Sequence, residues 1–327
     1  MHCLDALQDI KWTLRNKRHN KYLRVSEDTI VAELSRIYKK YFGTDLNLDN
    51  PQRLTEKIQW LKLYDSTPLK ARLADKCEVR NWVKGQIGEG YLTPLLGAWD
   101  RFDDIDFSQL PDAFVLKVNH ASGMNVIVKD KSDIDLTEMR RTFSRWLLMN
   151  YALLKMFEFH YGMIRPKILC EVYLGDNVND YKLFCFNGEP EFVWVDIGGY
   201  PDHHRALYDL DWNALPFTIN QHDCFPVEKP GQLNTMIGIA RKLSRGFAFV
   251  RVDLMETGGR LYFGEMTFTP YSGMSPFFPD EYDALYGRKL TLPDKKPIPL
   301  KEIRKVWKFA EVRKFLHRGK AHARFMP

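Results

Sequence analysis

In RVDLMETGGRLYFGEMT (251–267), two alternating apolar runs flank Gly258-Gly259. A period of two places Arg251 and Asp253 on one face of the first strand, and Phe263, Glu265 and Thr267 on one face of the second. Pairing across the turn would bring Asp253 towards Glu265. Two carboxylates beside a further oxygen donor suit magnesium, which takes oxygen ligands and usually retains phosphate. The plainer alternative is a hairpin whose charges line a solvated face.

A second stretch, KVNHASGMN (117–125), supplies charge of the opposite sign. Lys117 closes an apolar run, Ser122-Gly123 permit a tight turn with free N–H groups, and Lys129 lies on the returning strand. Such a loop could cradle phosphate oxygens, with lysine neutralising them; an ordinary hairpin fits equally. GxxxxGK[ST] and GxGxxG are both absent. His120 could contact phosphate or stabilise the turn.

Weaker candidates lie elsewhere. Lys76 in LADKCEVR is read on a helix, either solvated or facing the same site. Glu171 in CEVYLG ends a buried-looking strand, where an acid either pairs or marks a ligand edge. Lys182 in DYKLF is a sheet-surface lysine or a phosphate contact. Asp202-His203-His204-Arg205 reads as a polar loop or the rim of an acceptor site, because adjacent strand residues face opposite ways. No GxSxG or HExxH occurs.

The elements that must position these residues follow from periodicity. EDTIVAELSRIYKKYF reads as a helix stopped by Gly43. LTEKIQWLKLYD (54–65) reads as a second, with Thr55 as a possible cap, and 70–88 as a third ending on Gly88. From Ala113 the texture changes to strands. FVLKV and NVIVKD flank the loop, LTEMRRTFSRWLLMNYALL is helical, and PKILCEVYL is a strand. DYKLFCFNGEPEFVWVDIG is a hairpin over Asn187-Gly188. RALYDLDW is ambiguous, QLNTMIGIARKLSRG is an amphipathic helix, and the acidic hairpin follows. Without regular βα alternation this order reads as α+β.

Composition bounds the class. The 327 residues are 45% hydrophobic and 13% aromatic, enough for sizeable cores. Cys3, Cys77, Cys170, Cys185 and Cys224 form no CxxC pair, so neither a zinc site nor a disulfide framework is expected. The N-terminus lacks signal-peptide features and no run is long enough to span a membrane, so a soluble cytoplasmic protein is expected. Residues 295–327 carry eleven Lys/Arg against two Glu, whereas the whole chain carries +6, so the body is net negative. The basic pI therefore belongs to the tail and does not indicate nucleic-acid binding. PDKKPIP (293–299) reads as a linker to that tail. Leu300, Ile303, Trp307, Ala310 and Phe315 fall near one helical side. It could lie on an anionic membrane surface, or dock on its own body or on a partner such as surface-polysaccharide assembly machinery.

Taken together, LTEKIQWLKLYD, LADKCEVRNWV, IGEGYLTPLLGAWDRFDDIDFSQLP, FVLKVNHASGMNVIVKDKS, DYKLFCFNGEP and FVRVDLMETGGRLYFGEMTFTPYSG resemble the TupA-like branch of the ATP-grasp superfamily. That branch is associated with bacterial teichuronopeptide and surface-polysaccharide gene clusters. The resemblance spans about residues 30 to 292. It implies two α+β lobes sandwiching ATP: a lid lobe over 113–185 and a metal-binding lobe over 186–292. Residues 1–50 and 51–112 would precede them and 293–327 follow.

It also implies roles. Lys76 and Lys117 look like the lysines reaching the ATP phosphates, with Lys129 and Lys182 as further contacts. His120, Ser122, Gly123 and Asn125 belong to the loop that closes over the phosphates. Glu171 with the backbone of Val172, Tyr173 and Leu174 is similar to the adenine hinge. Arg251 resembles the arginine stabilising phosphoryl transfer, beside the Mg²⁺ carboxylates Asp253 and Glu265. Thr267 stands where many relatives carry asparagine. The implied activity is ATP- and Mg²⁺-dependent ligation of a carboxylate to an amine through an acyl phosphate. The acceptor would be a uronic acid or acidic amino acid. A glycosyltransferase using a nucleotide sugar is the alternative, although Asp104-Ile105-Asp106 precedes a Leu-Pro turn and reads as surface.

Overall fold

The computed structural model describes residues 20–154, 156–197, 204–220 and 225–308. Cys3, Cys224, Gly198-Gly199, Asp202, His203, Ala310 and Phe315 lie outside the described residues. Strands β1 (Leu95–Trp99), β2 (Phe114–Val118), β3 (Asn125–Val128) and β4 (Ile168–Val172) form a four-stranded antiparallel sheet in the order β1-β4-β2-β3. A second sheet comprises β5 (Asn179–Phe186), β6 (Glu189–Ile197), β7 (His204–Tyr208), β9 (Phe249–Thr257) and β10 (Arg260–Thr267), ordered β10-β9-β5-β6-β7. β8 (Thr218–Ile219) pairs with β11 (Phe277–Phe278). The ambiguous RALYDLDW stretch thus contributes β7. The change of sheet falls between Val172 and Asn179, not at the expected 185/186 boundary: β5 pairs along its length with β9 and β6, so Lys182 belongs to the larger sheet. β1, from the expected 51–112 region, belongs to the smaller one.

The larger sheet has two chemically different faces. Val250, Val252 and Leu254 of β9 join Leu183, Val193 and Val195 in a core completed by the helix Leu233–Ser244. On the alternate residues Phe249, Arg251, Asp253 and Met255 run in sequence along the other face. At the Phe249 end that face meets Phe184, Phe186 and Phe192 in a second core; at the Met255 end it borders a cleft. Arg251 and Asp253 lie between.

A β-bulge decides which acids meet. From the Gly258-Gly259 turn the pairing runs Arg260↔Thr257 to Phe263↔Leu254, then shifts so that Glu265 lies opposite Asp253 and Thr267 opposite Arg251. Unshifted pairing would have set Glu265 on the face of Val252. Phe263 therefore shares the apolar face with Leu254, rather than the face of Glu265 as straight alternation implied. The extra residue is Gly264, whose Cβ would come within 3.1 Å of the Asp253 carbonyl oxygen.

Three helical expectations change in detail. Thr55 lies inside the helix Leu54–Tyr64, not at its cap, and its N–H and hydroxyl donate to Asp283 at 2.8 and 2.6 Å. The stretch 70–88 is two helices, Pro68–Ala74 and Val79–Ile87, because the Asp75 carboxylate accepts the Cys77 N–H at 2.8 Å and starts a new turn. Lys76 therefore sits in a break. Likewise the helix Leu136–Leu147 ends before the short turn Tyr151–Leu154. Gly43 and Gly88 end their helices as expected.

The segment 293–299 is held to the body rather than acting as a free linker: the Lys296 N–H donates to the Tyr64 carbonyl at 2.9 Å and its ammonium pairs with Asp65 at 2.8 Å. Leu300, Ile303 and Trp307, in a helix over 300–308, are buried in the second core. The Trp307 indole donates to the Gly162 carbonyl at 2.9 Å. Of the two readings of the tail, docking is the one these residues take. No helix among the described residues is long and apolar enough to cross a membrane.

Candidate active site

The carboxylate pair is built by facing positions on β9 and β10. Arg251 grips Asp253 bidentately, Nε to Oδ1 at 2.7 Å and a terminal nitrogen to Oδ2 at 2.6 Å. The same nitrogen reaches Glu265 Oε1 at 3.4 Å and Thr267 Oγ1 at 3.2 Å. Thr267 in turn donates to Glu265 Oε1 at 2.8 Å. Burial pushes the Asp253 carboxyl up to about 6, with Arg251 opposing. Burial also resists ionisation of Glu265, but Lys76 and Arg251 outweigh it and hold that group down at about 2. Arg251 keeps its charge, since the Asp253 carboxylate more than offsets its burial.

Lys76 links this pair to the small-residue loop. Its ammonium donates to the Ala121 carbonyl at 2.8 Å and stands 3.4 Å from Glu265 Oε2. Lys117, at the end of β2, pairs with Glu171 of β4 at 2.7 Å. Arg80 binds the other Glu171 oxygen at 2.8 Å and the Thr93 carbonyl at 2.7 Å. Glu171 is thus an anion held between two cations. Lys182, opposite Asp253 in register, donates to Asp196, which also accepts from Trp194 Nε1 at 2.8 Å and Arg205 Nε at 2.9 Å. Burial disfavours the Lys182 charge, but Asp180, Asp253 and Asp196 overcome it and raise its pKa.

Between the sheets lies a cavity of about 950 Å³, the size of a small-molecule or cofactor site. Val115, Val172, Leu174 and Met255 give it apolar walls, while Lys117 and Asn125 bring polar atoms. Tyr173 also lines it, its hydroxyl donating to Asp176 at 2.6 Å. Lys129 lies just past β3 at the rim, 62% exposed and paired with Asp176. Ser122 and Gly123 are exposed at the loop tip.

His120 does not belong to this constellation. It is fully buried, its Nε2 3.3 Å from the Met149 carbonyl and its ring 6.3 Å from that of Trp307. Burial pushes its pKa down to about 4, so it is neutral and faces the core instead of the phosphate loop. Arg80, Asp196 and Tyr271 carry no individual signal in the sequence, whereas Arg205 belongs to the stretch read there as a polar loop or acceptor-site rim. Arg80 stands in LADKCEVRNWV and Asp196 in FVWVDIG, but only strand pairing shows which charges they meet.

Among the described residues no three His, Cys, Asp or Glu side chains converge as a cage for a metal. Asp253 and Glu265 offer two carboxylates, a set that fits a hard cation completing its shell with phosphate and water. Arg251 pairs with Asp253, and Glu265 stands 3.4 Å from both Arg251 and Lys76.

The model of the family described as TupA-like ATPgrasp matches residues 56–291. No curated protein matches the chain. Among solved structures, the D-alanine–D-alanine ligase of Bacillus anthracis complexed with ATP is 16% identical, with a TM-score of 0.40 over 75% of this chain and 68% of its own. The L-amino acid ligase of Bacillus licheniformis is 13% identical, with a TM-score of 0.36 over 60% of this chain and 40% of its own. The N5-carboxyaminoimidazole synthetase of Staphylococcus aureus complexed with ADP is 14% identical, with a TM-score of 0.37 over 68% and 52%. With most of its length matched by that family model, the chain belongs to the TupA-like ATP-grasp family.

Proposed function

We propose that this ATP-grasp ligase uses ATP and Mg²⁺ to join a carboxylate to an amine. The acceptor is a uronic-acid carboxylate of a bacterial surface polysaccharide or its precursor, and the nucleophile an amino acid or amine. The observation that carries the reading is the Arg251–Asp253–Glu265 cluster, reached by Lys76 and followed two residues along β9 from Asp253 by Met255, which lines the inter-sheet cavity. Bound Mg²⁺, held by Asp253 and Glu265 with Thr267 beside them, supplies neutralisation of phosphate charge.

The residues divide the work. Met255 and the Val172–Leu174 segment wall the nucleotide, and Lys117 faces its phosphates. Ser122, Gly123 and Asn125 cover them, and Lys76 ties that loop to Glu265. A carboxylate oxygen of the acceptor attacks the γ-phosphorus and the bond to ADP breaks, giving an acyl phosphate. The amine nitrogen then attacks the acyl carbon, phosphate leaves, and the nitrogen loses a proton to form the amide. Arg251 stabilises charge at the transferring group. The closed loop keeps water from the acyl phosphate.

No feature favours the glycosyltransferase alternative. Asp104 and Asp106 are exposed, and Asp106 is occupied in capping a turn through Ser108. On the ligase reading the protein works in the cytoplasm, and exposed Lys301, Lys305 and Lys308 on the docked helix remain for contact with anionic membrane. The deciding assay is release of ADP and phosphate with panels of uronic acids and amines. Asp253→Ala and Glu265→Ala are expected to abolish it. Sugar transfer from a nucleotide donor without ATP consumption would overturn the reading.

A further inference from the structure

The helix Leu54–Tyr64 buries the side that its sequence marks as polar. Gln59 and Lys62 are both 0% exposed. Such burial is costly unless every group is bonded, and here the bonds converge on one turn. Gln59 Nε2 donates to the Gly273 carbonyl at 2.8 Å and to the Ser272 carbonyl at 3.2 Å. The Lys62 ammonium donates to the Ser272 carbonyl at 3.0 Å and to Gln59 Oε1 at 2.7 Å. Buried Glu158 accepts from Thr269 Oγ1 at 2.9 Å and from the Ser272 hydroxyl.

That turn is strained. Tyr271 and Ser272 are consecutive non-glycine residues at φ 52° and 57°, followed by Gly273 at 64°. Such a non-glycine conformation is strained and persists only where its surroundings enforce it. Gly273 also has no room for a side chain, since a Cβ would meet Gln59 Nε2 at 2.5 Å and Ile58 at 2.6 Å.

The strained turn does not bury its aromatic residue. Tyr271 is 40% exposed, its ring 5.5 Å from the Trp194 ring, with the Arg251 guanidinium 5.8 Å from its centroid. Arg205 lies over Trp194 at 5.6 Å. Tyr271, with half-buried Arg205, thus forms a ledge backed by buried Trp194 and Arg251 at the Arg251 end of the carboxylate pair, whereas the cavity lies at the Met255 end. In-line phosphoryl transfer puts the attacking group opposite the leaving group, so a nucleotide in the cavity directs the acceptor to the ledge.

We propose that Tyr271 is the acceptor-side specificity residue, receiving the ring of a cyclic carboxylate, and that Gln59, Lys62 and Glu158 are positioning residues that hold it there. This rests on the ligase reading for the direction of attack. The exposed aromatic face takes the apolar C–H face of a pyranose, and Arg251 meets the reacting carboxylate. An acyclic acid of equal charge gains only the second contact.

The test uses the full-length protein with sodium D-glucuronate and sodium D-gluconate, a cyclic and an open-chain six-carbon sugar acid of equal charge. Tyr271→Leu is expected to raise the glucuronate KM at least tenfold, to leave the ATP KM unchanged and to erase the preference over gluconate. Tyr271→Phe, which keeps the ring, restores that preference. Lys62→Met with Tyr271 intact is expected to shift the acceptor KM in the same direction; if it does not fold, the two Tyr271 variants carry the test. Quenching of tryptophan fluorescence by glucuronate without ATP, lost in Tyr271→Leu, supports the ledge even where no carboxylate elicits ADP release, an outcome that would remove only the ligase reading. An unchanged glucuronate KM and preference in Tyr271→Leu, or no glucuronate binding by the wild-type protein, overturns the proposal.

Discussion

Arg251→Ala asks whether one guanidinium stands in for the metal charge. In the wild-type protein Arg251 gives two short, buried bonds to Asp253 and a longer one to half-buried Glu265. Removing it leaves Asp253 without its bidentate partner, and breaking a buried pair in this way costs about 3–5 kcal/mol. At about 2 °C per kcal/mol for a chain of this size, the melting temperature should fall by roughly 6–10 °C without divalent cations. The freed carboxylates then become a better site for Mg²⁺. If that site binds with a Kd of about 1 mM, 10 mM MgCl₂ returns about 1.4 kcal/mol, or roughly 3 °C. The wild-type protein without nucleotide should respond less, because Arg251 already holds Asp253. Differential scanning calorimetry in EDTA and in MgCl₂, on both proteins, measures each quantity. Equal stability of the two proteins in EDTA, or an identical Mg²⁺ response, would refute the reasoning.

Lys117→Met removes a cation from the cavity wall and leaves Glu171 with Arg80 alone; a lost charge-assisted contact of about 1.5–3 kcal/mol should raise the ATP KM some 10- to 100-fold, and unchanged KM in steady-state ADP release counts against its assigned place. Burial pushes His160 down to about 3 and His120 to about 4. Both are neutral in the fold, so the unfolded chain binds more protons below its ordinary histidine pKa near 6.5. Stability should therefore be full above about pH 6.5 and decline towards pH 3, by roughly 1.4 kcal/mol per unit per group. Urea titrations of His160→Phe should show a shallower decline, and an unaltered slope contradicts the assignment. Trp307→Ala should cost about 3–5 kcal/mol, the usual loss for a buried indole, because its ring and its bond to Gly162 anchor the 300–308 helix; a denaturation midpoint unmoved by the change would show the helix to be dispensable.

Local pattern alone determined a good deal. The two-residue period and turn glycines placed the hairpins β2–β3, β5–β6 and β9–β10 where they are found, because turn chemistry and side-chain alternation are properties of neighbouring residues. Lys117, Arg251, Asp253, Glu265 and Thr267 were readable as candidates for the same reason. What the sequence left open were relations across space. Strand order assigned β5 to the larger sheet and put Lys182 opposite Asp253. The Gly264 bulge, invisible to strict alternation, turned Glu265 to the face of Asp253 and Phe263 to the core. Packing of the 300–308 helix took His120 out of the loop it adjoins. Nothing local marks Gln59 and Lys62 for burial; only the fold sets the strained turn at Tyr271 upon them. Which polar groups are buried, and against what, is fixed only when distant segments meet: the cost of burying a charge is set by the partner that satisfies it.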